Sequence, residues 1–107
     1  MELLKERCEP REKCLERLPE GEVQRLSEEV PGWRVRDGHL QREFMLRGFP
    51  EAMDFVNKVA RMAQEQDHHP DIYISYSKVV LTFFTHKVNA LTKNDFIMAA
   101  KINELLK

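Results

Sequence analysis

The spacing of apolar residues predicts a series of short helices and strands along the chain. Over residues 20–29, apolar side chains recur at intervals of three and four, which is typical of a short amphipathic helix. Pro31 and Gly32 follow and are expected to end that helix, because proline and glycine are the strongest local breakers. The ordered part of the chain is therefore expected to begin with a helix.

The next stretch alternates apolar and polar residues on both sides of an Asp-Gly pair. The runs WRVR and HLQREFML flank Asp37 and Gly38, and Asp-Gly between alternating runs is among the strongest short signals for a β-hairpin. This pattern predicts two antiparallel strands whose apolar side chains share one face. The side chains expected on that face are those of Trp33, Val35, Leu40, Phe44 and Leu46, with the aliphatic stem of Arg42.

A second helix is predicted over about residues 50–66. Pro50 suits its first turn, and one apolar stripe at helical spacing is expected to face the core. His69 precedes Pro70, which biases the chain toward extended backbone, so this helix cannot continue past that point. The predicted stripe consists of Ala52, Phe55, Val56, Val59, Ala60 and Ala63.

Two further strands and a third helix are predicted in the last part of the chain. Residues 72–76 and 78–85 are rich in β-branched and aromatic residues, which favour strands. The last helix is expected to start near Thr92, with Asp95 completing a capping-box pattern, and to run to the C-terminus. Its predicted apolar stripe consists of Phe96, Ala99, Ala100, Asn103 and Leu106.

These elements predict an α+β fold in the order α-β-β-α-β-β-α, most simply a four-stranded antiparallel sheet with helices packed on one face. Residues 20–107 are expected to form a single domain, and residues 1–19 a charged, loosely attached lead-in. The final strand adds a second apolar face, which we expect a ligand or a partner subunit to cover. That face comprises Val80, Thr82, Phe84 and His86, whereas Val79, Leu81 and Phe83 are expected to point to the helices.

Composition and charge narrow the classes of function. With 107 residues, 42% of them hydrophobic and 33% charged, the chain fits one globular domain. The net charge of −1 and the absence of a basic block give no support to nucleic-acid or membrane-surface binding. No secretory h-region or membrane-length apolar run is present, so we expect a cytoplasmic protein. Cys8 and Cys14 are interpreted as reduced thiols, with a disulfide or redox pair as the alternative.

Three of the four histidines lie in the stretch QEQDHHPDIYISYSKVVLTFFTH, whereas His39 is interpreted as a surface residue beside the hairpin turn. His68 and His69 are adjacent in extended backbone, so their rings should point in opposite directions and serve different purposes. A metal site is not favoured, because no H-E-x-x-H pattern or carboxylate cluster accompanies the histidines. Acid–base chemistry near neutral pH is the better use of His68, His69 and His86.

The same stretch resembles a known family. Asp67-His68-His69-Pro70-Asp71 is followed by an aromatic residue six positions after the proline, by His86, and by Asp95 nine positions later. This pattern closely resembles the signature of the pterin-4a-carbinolamine dehydratases. The flanking segments PGWRV, REFMLRGFPEAMDFVNKVA and LTKNDFIMAAKI are also similar to members of that family, and the resemblance covers roughly residues 20–106.

The resemblance implies a dehydratase that removes water from a 4a-hydroxytetrahydropterin to give quinonoid dihydropterin, recycling the pterin cofactor of aromatic amino-acid hydroxylases. It implies no metal and no cofactor. By match to the family, His68 and His86 are the acid–base pair, and His69 belongs to the same catalytic set and orients the ring. The residues implied in substrate binding, besides His69, are Asp67, Pro70, Phe84, Thr85 and Gln64.

Two positions depart from the family pattern, and one remains open. Gln64 stands where the family usually has an ionisable residue, which puts the tuning of His68 in question. Ile72 stands where many relatives have an aromatic residue, which leaves Tyr73 or Phe84 for stacking on the pterin. Asp95 belongs to the signature but also stands where a helix favours a carboxylate, so it has either a structural or a site-supporting role.

The resemblance also brings alternatives. Relatives of this fold in animals act as dimerisation cofactors of a homeodomain transcription factor, so a non-catalytic binding or dimerisation module is the first. A pterin-related role in molybdopterin metabolism is the second. The family assembles as strand-paired dimers joined into tetramers through helices, which implies a homodimer or homotetramer here.

Overall fold

The computed structural model describes residues 3–10 and 12–106. Three helices and four strands follow one another in the predicted order α-β-β-α-β-β-α, and short 3₁₀ turns lie at Leu3–Lys5 and His86–Val88. The helices and strands are α1 (Glu20–Ser27), β1 (Arg34–Arg36), β2 (His39–Met45), α2 (Phe49–Gln66), β3 (Asp71–Ser75), β4 (Lys78–Phe83) and α3 (Lys93–Leu105).

The strands form one antiparallel sheet in the order β1-β2-β4-β3, with the helices on one face, which confirms the predicted fold class. The predicted hairpin joins β1 to β2, and its turn residues Asp37 and Gly38 have φ of 53° and 76°. Positive φ at both turn positions matches the right-handed twist of the strands, which is why Asp-Gly forms this turn. The sheet places β4 in its interior, between β2 and β3.

The face of the sheet that meets the helices forms the core. Leu40, Phe44, Val79, Leu81 and Phe83 are buried there, and Leu40 lies opposite Phe83 in the β2–β4 register. This confirms the predicted inward direction of alternate residues on β4. On the other face, Val80, Thr82 and Phe84 are partly exposed and Tyr73 is 56% exposed, so the described residues leave that face partly uncovered.

The helical stripes were predicted with mixed success. On α2, the predicted apolar residues are buried except Ala60, which is exposed. On α3, the predicted stripe is only partly correct: Phe96 and Ala99 are buried, but so are all residues 94–99, whereas Leu106 is 43% exposed. The physical reason is that a second layer, formed by the N-terminal segment, covers the side of α3 that the pattern assigned to solvent.

The N-terminal segment, expected to be a loosely attached lead-in, packs against the rest of the domain. Leu3, Cys8 and Cys14 are buried, and the Cys8 and Glu9 N–H groups donate to the side chains of Gln66 (2.8 Å) and Asn94 (2.9 Å). The segment therefore crosses α3 and reaches the end of α2, in contacts that link residues more than 50 positions apart in sequence. Among the described residues, no helix has the length and apolar composition to cross a membrane.

Candidate active site

A cavity of about 550 Å³ opens where the end of α2 meets the segment after β4. Its size lies in the ordinary range for small-molecule sites. The cavity has walls from three parts of the chain, including the N-terminal segment. Its lining residues are Glu12, Cys14, Asp67, His68, His69, Pro70, Asp71, Phe84, Thr85, His86 and Lys87.

The C-terminus of α2 delivers the histidine pair to this cavity. Asp67 adopts left-handed backbone (φ 52°), and its N–H bonds the carbonyl oxygens of Ala63 and Gln64. The His68 N–H also donates to the Ala63 carbonyl at 3.1 Å. These bonds close the last turn of the helix and reverse the chain direction. His68 is buried by this reversal, whereas the next residue, His69, is exposed.

His68 is held by the carboxylate of Asp95. Its Nε2 lies 2.6 Å from Asp95 Oδ1, and both side chains are buried. Asp95 Oδ2 accepts two further hydrogen bonds at 2.9 Å, one from the Thr92 N–H and one from the Thr85 hydroxyl. A carboxylate that accepts on both oxygens requires Nε2 to carry the proton, which leaves Nδ1 as the nitrogen available for chemistry.

Asp95 makes the contacts expected for both of the roles that the sequence left open. One oxygen, Oδ2, bonds the N-terminus of α3 in the predicted capping-box position. The other, Oδ1, orients His68. The carboxylate is stabilised where the helix dipole favours negative charge, and at the same time it fixes an imidazole in the cavity wall.

Two hydroxyls and a thiol connect this contact to the N-terminal segment. Thr85 Oγ1 lies 2.8 Å from Thr92 Oγ1, which in turn lies 3.2 Å from Cys14 Sγ. Burial raises the pKa of the Cys14 thiol, and it raises that of Cys8 to about 12. Both cysteines are free thiols in the structure.

Gln64 contacts His69, whereas the family pattern linked this position to His68. Its Oε1 lies 3.1 Å from Nε2 of His69, not beside His68. The reversal at Asp67 explains this, because it turns His69 back over the last turn of α2. The absence of an ionisable side chain at position 64 therefore affects the surroundings of His69. His68 is oriented by Asp95 instead.

His86 lines the same cavity from the segment that follows β4. It begins the 3₁₀ turn after β4, rather than ending the strand as predicted, and it is exposed. Its ring packs edge-on against Phe84, with centroids 5.0 Å apart. His39 contacts the same Phe84 at 4.3 Å, so it is only partly exposed, but it does not line the cavity.

The structure brings together most of the residues that the sequence singled out. Gln64 and Asp95 stand behind the cavity wall and each contacts a histidine that lines it. Of the two aromatic candidates for stacking, Phe84 lines the cavity and Tyr73 does not. Asp67, His68, His69, Pro70, Phe84, Thr85 and His86 all line the cavity.

Sequence reasoning missed four of the lining residues. Asp71 belongs to the quoted motif but was given no role, and the only signal for Lys87 was that it adjoins His86. Glu12 and Cys14 come from the N-terminal segment and had no signal at all, because only the tertiary fold brings them to the site. Within residues 3–10 and 12–106, no three side chains of metal-ligating type come together as a metal site.

Comparison with known proteins identifies the family of this chain. The family model for pterin 4 alpha carbinolamine dehydratase matches residues 16–105. A protein of Rubrobacter xylanophilus called "Putative pterin-4-alpha-carbinolamine dehydratase" is 45% identical over 105 residues, covering 97% of this chain and 98% of that protein. A protein of the same name from Nitrosococcus oceani is 44% identical over 95 residues, covering 85% of this chain and 84% of its own length.

The fold also matches a solved structure. A crystal structure from Brucella melitensis, described as a transcriptional coactivator/pterin dehydratase, superposes with a TM-score of 0.82 at 32% identity. The match covers 86% of this chain and all of that chain (100%). Because the family model and close relatives both span most of the sequence, the chain belongs to the pterin 4 alpha carbinolamine dehydratase family.

Proposed function

We propose that this protein removes water from a 4a-hydroxytetrahydropterin to give quinonoid dihydropterin by histidine acid–base catalysis. The observation that carries the proposal is one cavity, about 550 Å³ in volume, whose wall includes His68, His69 and His86. The first of these rings is fixed by a buried carboxylate, and the third is exposed and comes from the segment after β4. A pterin bound in this cavity would have more than one proton carrier in the wall around it.

The reaction needs one proton delivered and one removed. The N5 lone pair forms the new double bond to C4a while the C4a–oxygen bond breaks. The departing hydroxyl takes a proton from a general acid and leaves as water, and the N5 proton passes to a general base. No electrons are exchanged with another molecule, so two correctly placed imidazoles supply all the chemistry that the step requires.

His68 and His86 are assigned as this acid–base pair. His68 presents Nδ1, because Nε2 is held by Asp95, and the carboxylate stabilises the imidazolium that forms when the ring takes up a proton. His86 lies at the exposed side of the cavity, where it can exchange protons with water. The hydroxyl can project from either face of the pterin, so the two histidines can exchange roles between substrate stereoisomers.

The remaining residues are assigned to binding and support. His69, with Gln64 behind it, orients the ring together with Asp67, Pro70 and Phe84. Thr85 lines the cavity, but its hydroxyl is engaged by Asp95 and its N–H by the Ala90 carbonyl. We therefore assign Thr85 to supporting the Asp95 carboxylate.

His86→Ala tests the pairing. In an assay where a phenylalanine hydroxylase generates the carbinolamine, the wild-type protein should speed formation of the quinonoid product. We expect His86→Ala to lower kcat by about 10²-fold, the lower end of what one proton-transfer group contributes. A variant that keeps more than half of wild-type kcat would show that His86 transfers no proton.

Gln64→Ala tests the supporting role of Gln64. Removing the 3.1 Å contact frees the exposed His69 ring to rotate. Because one hydrogen bond is worth about 1 kcal/mol, we expect KM to rise by about 2- to 5-fold with kcat nearly unchanged. Gln24→Ala on α1, a glutamine outside the cavity lining, is the matched control. A kcat loss larger than the KM change would move Gln64 to the catalytic step.

The same proposal extends to assembly and location. The partly exposed apolar face of β4 suits pairing with a second copy of the chain, so we propose a homodimer or homotetramer. We also propose that the protein acts in the cytoplasm. The alternative function is a coactivator-type binding module, because the description of the Brucella structure includes that role. The ordered histidine cavity favours catalysis over binding alone.

A further inference from the structure

The N-terminal segment contributes a side chain to the hydrogen bonds around His68. Cys14 Sγ lies 3.2 Å from Thr92 Oγ1, across 78 positions of sequence, and the thiol is buried beside the cavity. The contact continues through Thr85 to the Asp95 carboxylate. Every member of this set is buried, so solvent does not supply substitute partners.

The direction of each hydrogen bond in this set follows from the number of hydrogens available. Asp95 Oδ2 only accepts, so Thr85 must donate its single hydroxyl hydrogen to it. Thr85 Oγ1 can then only accept within the 2.8 Å contact, so Thr92 donates to it. Thr92 has then used its only hydroxyl hydrogen, so the Cys14 S–H donates to its oxygen, which also accepts from the Asp95 backbone N–H in the capping box.

From this order we propose that Cys14 is a positioning residue for His68. Its S–H holds the Thr92 hydroxyl, Thr92 holds the Thr85 hydroxyl, and these two fix the Asp95 carboxylate that orients the imidazole. Cys14 does not contact the reacting atoms. The consequence for catalysis rests on the proposed dehydratase function, whereas the effect on the geometry of His68 does not.

Removing the thiol takes away one donor to Thr92 Oγ1 and leaves the backbone N–H of Asp95, which donates to the same side chain in the capping box. Thr92 can then rotate away from Thr85, and the Asp95 carboxylate loses part of the restraint on its plane. Buried polar contacts of this kind strengthen one another, so the effect is expected to reach His68. The expected size is that of one hydrogen bond, about a 3- to 10-fold change in kcat.

The first test compares three full-length variants. Cys14→Ala removes the donor, and Cys14→Ser replaces it with a hydroxyl. Cys8→Ala is the control: it removes the other buried thiol of the N-terminal segment, which donates to the Asn94 carbonyl and not to Thr92. We expect Cys14→Ala to lower kcat by about 3- to 10-fold with KM unchanged, and Cys14→Ser to restore most of it. Cys8→Ala should leave kcat unchanged. Equal kcat losses in both alanine variants would overturn the proposal.

The second test asks whether the effect travels through Thr85. Thr85→Val interrupts the series of hydrogen bonds, so Cys14→Ala should add less than a twofold loss in that background. Independent, additive losses would show that Cys14 acts by another route and would overturn the proposal. This comparison separates positioning from a general loss of packing.

A third readout does not depend on activity. His68 Nε2 lies 2.6 Å from Asp95 Oδ1, and the proton on this nitrogen should give a resolved imidazole resonance in NMR spectra. We expect it to shift in Cys14→Ala and to return in Cys14→Ser. A resonance that is identical in wild type and Cys14→Ala contradicts the proposal, even if the protein proves to be a dehydratase. A shift in a protein without dehydratase activity supports the positioning role and refutes the proposed function alone.

Discussion

His68→Ala is expected to lower kcat for carbinolamine dehydration by about 10²–10⁴-fold, the range for loss of a general acid or base. The ring is buried in the cavity wall and bonded to Asp95 at 2.6 Å, which holds its other nitrogen in a fixed position for proton transfer. The loss should fall on kcat more than on KM, because the proton is transferred in the chemical step. Turnover kinetics over a range of substrate concentrations measures both constants.

The control for this substitution is His39→Ala. His39 is partly exposed and contacts Phe84, but it does not line the cavity, so kcat should stay within about twofold of wild type. His68→Ala also leaves a buried carboxylate without one partner, so far-UV circular dichroism must show that the variant is folded. A folded His68→Ala protein with near-normal kcat would contradict the acid–base assignment.

Asp95→Asn is expected to lower kcat by about 10²-fold or more while the fold is retained. The carboxylate accepts three hydrogen bonds, from His68, Thr85 and Thr92, and the amide has only one oxygen with which to accept. If the amide N–H₂ faces His68, the ring must move its proton to Nδ1, which is the wrong tautomer for the proposed chemistry. If the N–H₂ faces α3, the contacts to Thr85 and Thr92 are lost.

Both orientations also destabilise the protein, because one buried donor is left without an acceptor. We expect the free energy of unfolding to fall by about 1–3 kcal/mol, measured by urea denaturation. Asp54→Asn is the matched control, since Asp54 is exposed and pairs only with Lys58 at 3.3 Å on α2. A normal kcat in Asp95→Asn would mean that the carboxylate serves only as a helix cap.

The fold was predictable where the sequence carries local signals. Asp37 and Gly38 form the turn that their φ preferences allow, and alternation along β4 gave the correct direction for Val79, Leu81 and Phe83. Such features depend on neighbouring residues, so a pattern of period two or a turn dipeptide is sufficient to predict them. The candidate cavity residues were predictable for a different reason, since a specific spaced motif carries them.

The contacts of those residues were less predictable. The family pattern linked Gln64 to His68, but the left-handed turn at Asp67 brings the His69 ring, and not that of His68, into contact with Gln64. The N-terminal segment has a charged, proline-interrupted composition that suggests weak attachment, yet Leu3, Cys8 and Cys14 are buried. The burial of α3 on nearly all sides has the same cause. These contacts join distant parts of the chain, and the local hydrophobic period does not encode them.

The most direct test of the proposed activity is the rate at which freshly generated 4a-hydroxytetrahydropterin loses water, followed by absorbance in a stopped-flow instrument. Wild-type protein should accelerate the loss in proportion to its concentration and with multiple turnovers, whereas the double variant His68→Ala/His86→Ala should not exceed the spontaneous rate. A wild-type rate equal to the spontaneous one would contradict the dehydratase assignment and favour the binding-module alternative.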